Sequence, residues 1–146
     1  FDPLLLKIVC DSLNFKVLAK GEYIGRLIVY NGMYGTDTLQ LSAKRLVAGT
    51  ENGIIKADLD FDGNCEFVIP DKNSARNGGV RHYYYMYDPE IGKFKENTSL
   101  PAWISKFNLD IKNQRVKLYC PNDECFAYYK YTVNKTFDLV QGDFKD

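Results

Sequence analysis

The stretch "VRHYYYMYD", residues 80–88, decides the fold of this chain. Its large side chains alternate: Tyr83, Tyr85 and Tyr87 fall on one face of an extended segment, Tyr84 and Met86 on the other. A period of two over so many residues is the signature of a β-strand.

Similar short runs extend in both directions. "LLLKIVC", "FKVLAK", "YIGRLIVY", "TLQLSAKRLV", "GIIKADL" and "CEFVI" precede it, and "FNLDIK", "RVKLYC", "CFAYYKYTV" and "TFDLVQG" follow. Gly, Asn and Asp signals separate them, as between strands of an all-β domain. Residues "KNQ", 112–114, read as a turn joining two antiparallel strands. The spacing predicts an antiparallel meander, β-propeller-like or sandwich, with at most one short helix. That helix is expected at "TSLPAWISKF", residues 98–107, with Thr98 or Ser99 as cap and Pro101 in the first turn.

Composition agrees. Eleven tyrosines, within an aromatic content of 14%, form a strand-forming palette together with the valines, isoleucines and threonines. At 146 residues the chain is read as one domain, 1–146, able to bury a core. Nineteen basic and nineteen acidic residues cancel, so there is no basic excess of the kind that nucleic-acid binding needs. No apolar run is long enough to span a bilayer. A cationic lead and small-residue cleavage site are also missing at Phe1, so the chain is expected either to be made without a signal peptide or to be a mature or trimmed product, the latter compatible with a lipid anchor.

Four cysteines allow three pairings. Cys120 and Cys125 flank "PND", which favours a turn that a disulfide would close, leaving Cys10 with Cys65. Reduced thiols are the competing reading, and zinc fits poorly with one histidine and no CxxC. An even count in a small chain points to an oxidising compartment.

Charge is balanced overall but concentrated in "ADLDFDGNCEF", residues 57–67. Asp58, Asp60 and Asp62 alternate, Gly63 follows, and Glu66 occupies the ninth position counted from Asp58. This D-x-D-x-D-G spacing opens a calcium loop, because a hard cation gathers six to eight oxygens and alternate carboxylates wrap one side of it. Asn64 would add its backbone carbonyl, and Glu66 would bind directly or through water. An EF-hand would place a bidentate glutamate at the twelfth position; here Ile69 stands there between strand-like flanks, so the loop is expected between strands. Without a cation the cluster would be a solvated acidic turn. Magnesium suits it less, since it keeps more of its water. The ion is expected to be structural Ca2+.

The loop, the glycine-bearing segment with Gly78 and Gly79, the strand Tyr83 to Tyr87, Asp88-Pro89 and Phe94 occur in an order that resembles one family. It comprises bacterial cell-envelope proteins with calcium loops like those of VCBS and FG-GAP repeats, including periplasmic immunity proteins that inhibit lysozyme-like effectors of type IV secretion systems. The closing "CFAYYKYTVNKTFDLVQ" is similar to that family's terminal hairpin. The likeness covers residues 54–141; Cys65 and "CPNDEC" depart from it. It implies an all-β fold, a periplasmic or cell-envelope location, no catalysis, and a peptidoglycan hydrolase as partner.

A hydrolase inhibitor needs donors for the carboxylates of a cleft. "DKNSARNGGVRHY", residues 71–83, offers Arg76, Arg81 and His82, a turn at Asn77-Gly78-Gly79, and Tyr83 as an anchor. An ordinary hairpin with a solvated basic rim is the plainer reading of the same residues. A calcium-stabilised module binding carbohydrate or protein is the alternative function, with tyrosines and Trp103 as stacking surfaces. Catalysis by His82 would need a nucleophile that the sequence does not assign. "NTS" and "NKT" match glycosylation acceptors, a pattern without meaning in a bacterial protein.

Overall fold

The computed structural model describes residues 10–20, 24–31, 35–42 and 53–144. Within them the chain is nearly all β, in three antiparallel sheets. Strands β1 (Leu13–Lys20), β2 (Ile24–Asn31) and β3 (Gly35–Ser42) form a meander. A central sheet contains β4 (Ile55–Ala57), β5 (Glu66–Arg76), β6 (Gly79–Asp88) and β7 (Lys93–Asn97), with β8 (Trp103–Ile104) also pairing β6. The third sheet runs in the order β12 (Phe137–Gly142), β11 (Phe126–Tyr131), β10 (Arg115–Tyr119), β9 (Lys106–Asp110).

The alternation of β6 sets how these sheets stack. Tyr85 and Tyr87 join Phe67, Ile69 and Phe94 in a core shared with Leu13, Leu27 and Val29 of the first sheet. Tyr84 and Met86 face the other way, into a core with Val116, Leu118, Ala127, Tyr129 and Phe137 of the third. The central sheet is therefore buried on both faces, in a sandwich three sheets deep. Phe67 stacks on Tyr85 with ring centroids 4.9 Å apart, and the Tyr84 hydroxyl donates to the Pro101 carbonyl at 2.8 Å. A buried tyrosine needs such a partner for its polar end.

Both disulfides form, Cys10 with Cys65 and Cys120 with Cys125. The first fastens the segment before β1 to the start of β5. The second closes the loop around a short 3-10 turn at Pro121–Asp123. Between β9 and β10 the turn falls on residues 111–114, as "KNQ" predicts.

Two expectations are corrected, and one strand is added. Residues 98–107 form no helix: Val80 pairs with Ile104 and Arg81 with Trp103, while His82 N donates to Ala102 O at 2.7 Å. Ile104 is fully buried by this extended path, and a single helical turn would give up both the pairing and the burial. Cys10 and Asp11 lie in a helical turn rather than at the end of a strand, and the rest of "LLLKIVC" lies outside the described residues, as do Ala43 to Val47 of "TLQLSAKRLV". Strand β7 is an addition, formed by "KFKEN" along the edge of β6.

Candidate metal centre

The acidic loop closes the β4–β5 hairpin. Ala57 and Glu66 are its last paired residues, so eight residues span the gap between them. On β5 the parity of the strand sends Phe67 and Ile69 into the first core and Val68 into the second. Glu66 shares the parity of Val68, so its carboxylate is driven beneath the loop instead of toward water, and it is fully buried. Asp58 is fully buried as well, beside Leu59, whose side chain anchors the loop in the second core.

Backbone N–H groups shape the turn around the carboxylates. Gly63 N donates to Asp58 Oδ2 at 2.9 Å, and Asp62 N to Asp58 Oδ1 at 3.3 Å. Asn64 N donates to Asp62 Oδ1 at 2.8 Å, and its side-chain amide to Asp62 Oδ2 at 3.3 Å. Gly63 has φ +90°, a left-handed conformation that glycine adopts without steric cost.

Asp58, Asp60, Asp62 and Glu66 converge so that one oxygen from each lies within 4.8 Å of the others. Oxygens on opposite sides of one calcium ion are separated by about 5 Å, so the cluster has the span to surround such an ion. Among the described residues, none of the four forms an ion pair with lysine or arginine. Glu66 Oε1 accepts from Leu59 N at 3.1 Å, while the buried Oε2 has no hydrogen-bond donor. A buried carboxylate oxygen left in this state is costly unless a cation or a proton reaches it.

The electrostatics agree. Burial, reinforced by the three aspartates, holds the Glu66 carboxyl well above its usual range. Burial with the neighbouring acids pushes Asp60 up to about 8, and burial also raises Asp58. The metal-free loop thus retains protons that a divalent ion would displace. Of the five ligands expected from sequence, the four acids come together; Asn64 lies in the same loop, its side chain tied to Asp62.

The basic segment is less of a finger than expected. Asn77 and Gly78, with φ of +50° and +76°, form a two-residue hairpin turn between Arg76 and Gly79. Instead of projecting freely, this turn leans on the loop at 121–123: Asn122 N donates to Gly78 O at 3.2 Å. Gly79 is buried against Trp103 and Pro121.

His82, expected among the partner-binding residues, is only 5% exposed and lies in the interior. Its Nδ1 lies 2.7 Å from the Val80 carbonyl, and because that oxygen can only accept, Nδ1 carries the proton. Burial lowers its pKa. Tyr83 packs half-buried against the first core. Arg76, Asn77, Gly78 and Arg81 remain exposed, with the Arg76 guanidinium 5.0 Å from the Trp103 ring.

Sequence reasoning missed a pocket of about 340 Å³ next to the acidic loop. Asp60 and Asp62 form one wall, β6 and β7 contribute Met86 and Lys95, and the β11–β12 hairpin contributes Tyr131 and Val133. Three stretches distant in sequence build it, the acidic loop, the β6–β7 hairpin and the β11–β12 hairpin, and no local pattern joins them. Comparison of the chain with protein-family models, curated proteins and solved structures gave no match. Fold and site therefore define the class on their own: an antiparallel, disulfide-linked sheet stack with an acidic cluster able to hold a metal ion.

Proposed function

We propose that this chain is a calcium-stabilised, non-catalytic binding domain that works in an oxidising compartment such as the periplasm or cell envelope. The carrying observation is Glu66 Oε2, buried without a donor among three converging aspartates. Calcium suits that donor set because it accepts several carboxylates at once and tolerates irregular geometry. The two disulfides support the compartment. Among the described residues no helix is long and apolar enough to cross a membrane.

In this reading the ion completes the fold and the surface recognises the partner. The test is limited proteolysis with and without calcium, followed by a binding screen of the loaded protein. Protection of the 58–66 loop by calcium supports the reading; equal cleavage in calcium and in chelator removes it.

A second reading, inhibition of a lysozyme-like peptidoglycan hydrolase, draws on one observation. Arg76 over Trp103, with Arg81 exposed nearby, gives the β5–β6 hairpin a cationic and aromatic edge. Such an edge complements an acidic cleft. A muramidase assay with wild-type protein, Arg76→Ala and Arg81→Ala tests it. Loss of inhibition in the variants supports it, and no inhibition of any muramidase by the wild type rejects it.

A further inference from the structure

We propose that the metal loop and the adjoining pocket act together as one calcium-dependent site for a neutral saccharide, whose hydroxyls complete the coordination of the ion. This rests on the calcium reading of the four-acid cluster and adds a ligand class to it.

The first support is a burial gradient across the carboxylates. Asp58 and Glu66 are fully buried, Asp60 is half-buried, and Asp62 is exposed. The closed side of the cluster therefore lies against the protein interior, while its open side is formed by Asp60 and Asp62. Those same two residues wall the pocket. An ion held by all four acids would have its accessible side facing that space. Calcium takes six to eight oxygens, and four acids with one carbonyl leave room for a ligand's oxygens.

Charge selects the kind of oxygen. Four ionised carboxylates around a divalent cation leave an excess of two negative charges, and the further acids of the pocket, Asp88 and Glu96, are matched by Lys135 and Lys95, so that excess remains. Another carboxylate or a phosphate would enter against that field. Paired hydroxyls bring oxygen donors without charge. Tyr131 supplies ring surface for the C–H face of a sugar, and Lys95 supplies ammonium donors for its other hydroxyls. About 340 Å³ is room for a single ring or a short oligosaccharide.

The pocket is also held open before any ligand arrives. Lys135 Nζ reaches Asp88 Oδ2 at 2.9 Å and Glu90 Oε2 at 3.7 Å, and Asn97 Nδ2 donates to Lys135 O at 3.0 Å. These bonds fasten the β11–β12 turn to the end of β6 and to β7. A preformed wall loses little freedom on binding.

The experiment has two stages on the full chain. Calcium is first titrated into chelator-stripped protein by calorimetry. D-mannose and D-galactose are then followed by saturation-transfer NMR, and neutral oligosaccharides on an array, each in calcium and in EDTA. The expected result is saccharide binding in calcium that disappears in EDTA, and that falls about tenfold in Lys95→Ala, the loss of one charged hydrogen bond, with calcium affinity unchanged. Absence of calcium binding would overturn the metal reading and this inference together. Calcium binding without any saccharide binding would overturn this inference alone. Saccharide binding that survives EDTA, or that is unchanged in Lys95→Ala, would place the sugar elsewhere and overturn it too.

Discussion

The backbone N–H of Leu59 donates to Glu66 Oε1 at 3.1 Å, across the acidic loop, while Oε2 of the same carboxylate is buried with no donor. One oxygen thus closes the loop, and the other is left for a cation.

Glu66→Gln separates these two roles. The amide keeps an oxygen for Leu59 N and places an N–H₂ where the second oxygen stood, facing the aspartates. The metal-free variant is expected to melt at or above the metal-free wild type, because the amide is neutral without the proton that the buried carboxyl must take up on folding. Its response to calcium is expected to vanish. Melting curves in EDTA and in calcium check both halves.

The pH dependence of the metal-free protein has a defined sign. Asp60 moves from an ordinary carboxylate value of 3.8 to about 8, and Asp58 and Glu66 are raised as well. The folded state then binds more protons than the unfolded chain between those values, so its stability falls as pH rises through that window. With calcium bound, the carboxylates are ionised in both states and this fall should disappear. Urea unfolding at several pH values, with chelator and with calcium, reads the difference.

Much of this was legible in local sequence. The period of two across residues 80–88 predicts the two faces of β6, and D-x-D-x-D-G predicts the convergence of Asp58, Asp60 and Asp62. The position of His82 was present in the same alternation: it shares parity with Tyr84 and Met86, which face the third sheet. Its polar neighbours grouped it with the expected partner-binding residues and masked that parity. The extended path of Trp103–Ile104 was not legible, because Thr98, Ser99 and Pro101 satisfy helix-start rules and only the edge of β6 outcompetes them. The pocket depends on contacts between β6, β7 and a turn more than thirty residues further on, which no local pattern encodes.

The disulfides should contribute unequally. Cys10 and Cys65 are 55 residues apart, and Cys120 and Cys125 only 5. By loop-closure entropy the longer link is worth about 4 kcal/mol and the shorter about 2 kcal/mol. Denaturant titrations of Cys10→Ser/Cys65→Ser and Cys120→Ser/Cys125→Ser should show the larger loss in the first pair.

Gly79→Ala tests the docking of the β5–β6 turn. A Cβ there would lie 2.5 Å from Trp103 Nε1 and 2.9 Å from Pro121 Cγ. The side chains would have to shift, at a cost of about 1–3 kcal/mol. Chemical denaturation gives the size, and tryptophan fluorescence should change because Trp103 is the single tryptophan.

The most direct measurement is calorimetric titration of calcium into chelator-stripped wild-type protein near neutral pH, paired with its melting temperature. The predicted result is one ion bound per chain, absent in Glu66→Gln, with a rise of roughly 5–10 °C at a hundredfold excess over Kd. No heat of binding and an unchanged melting temperature would contradict the account.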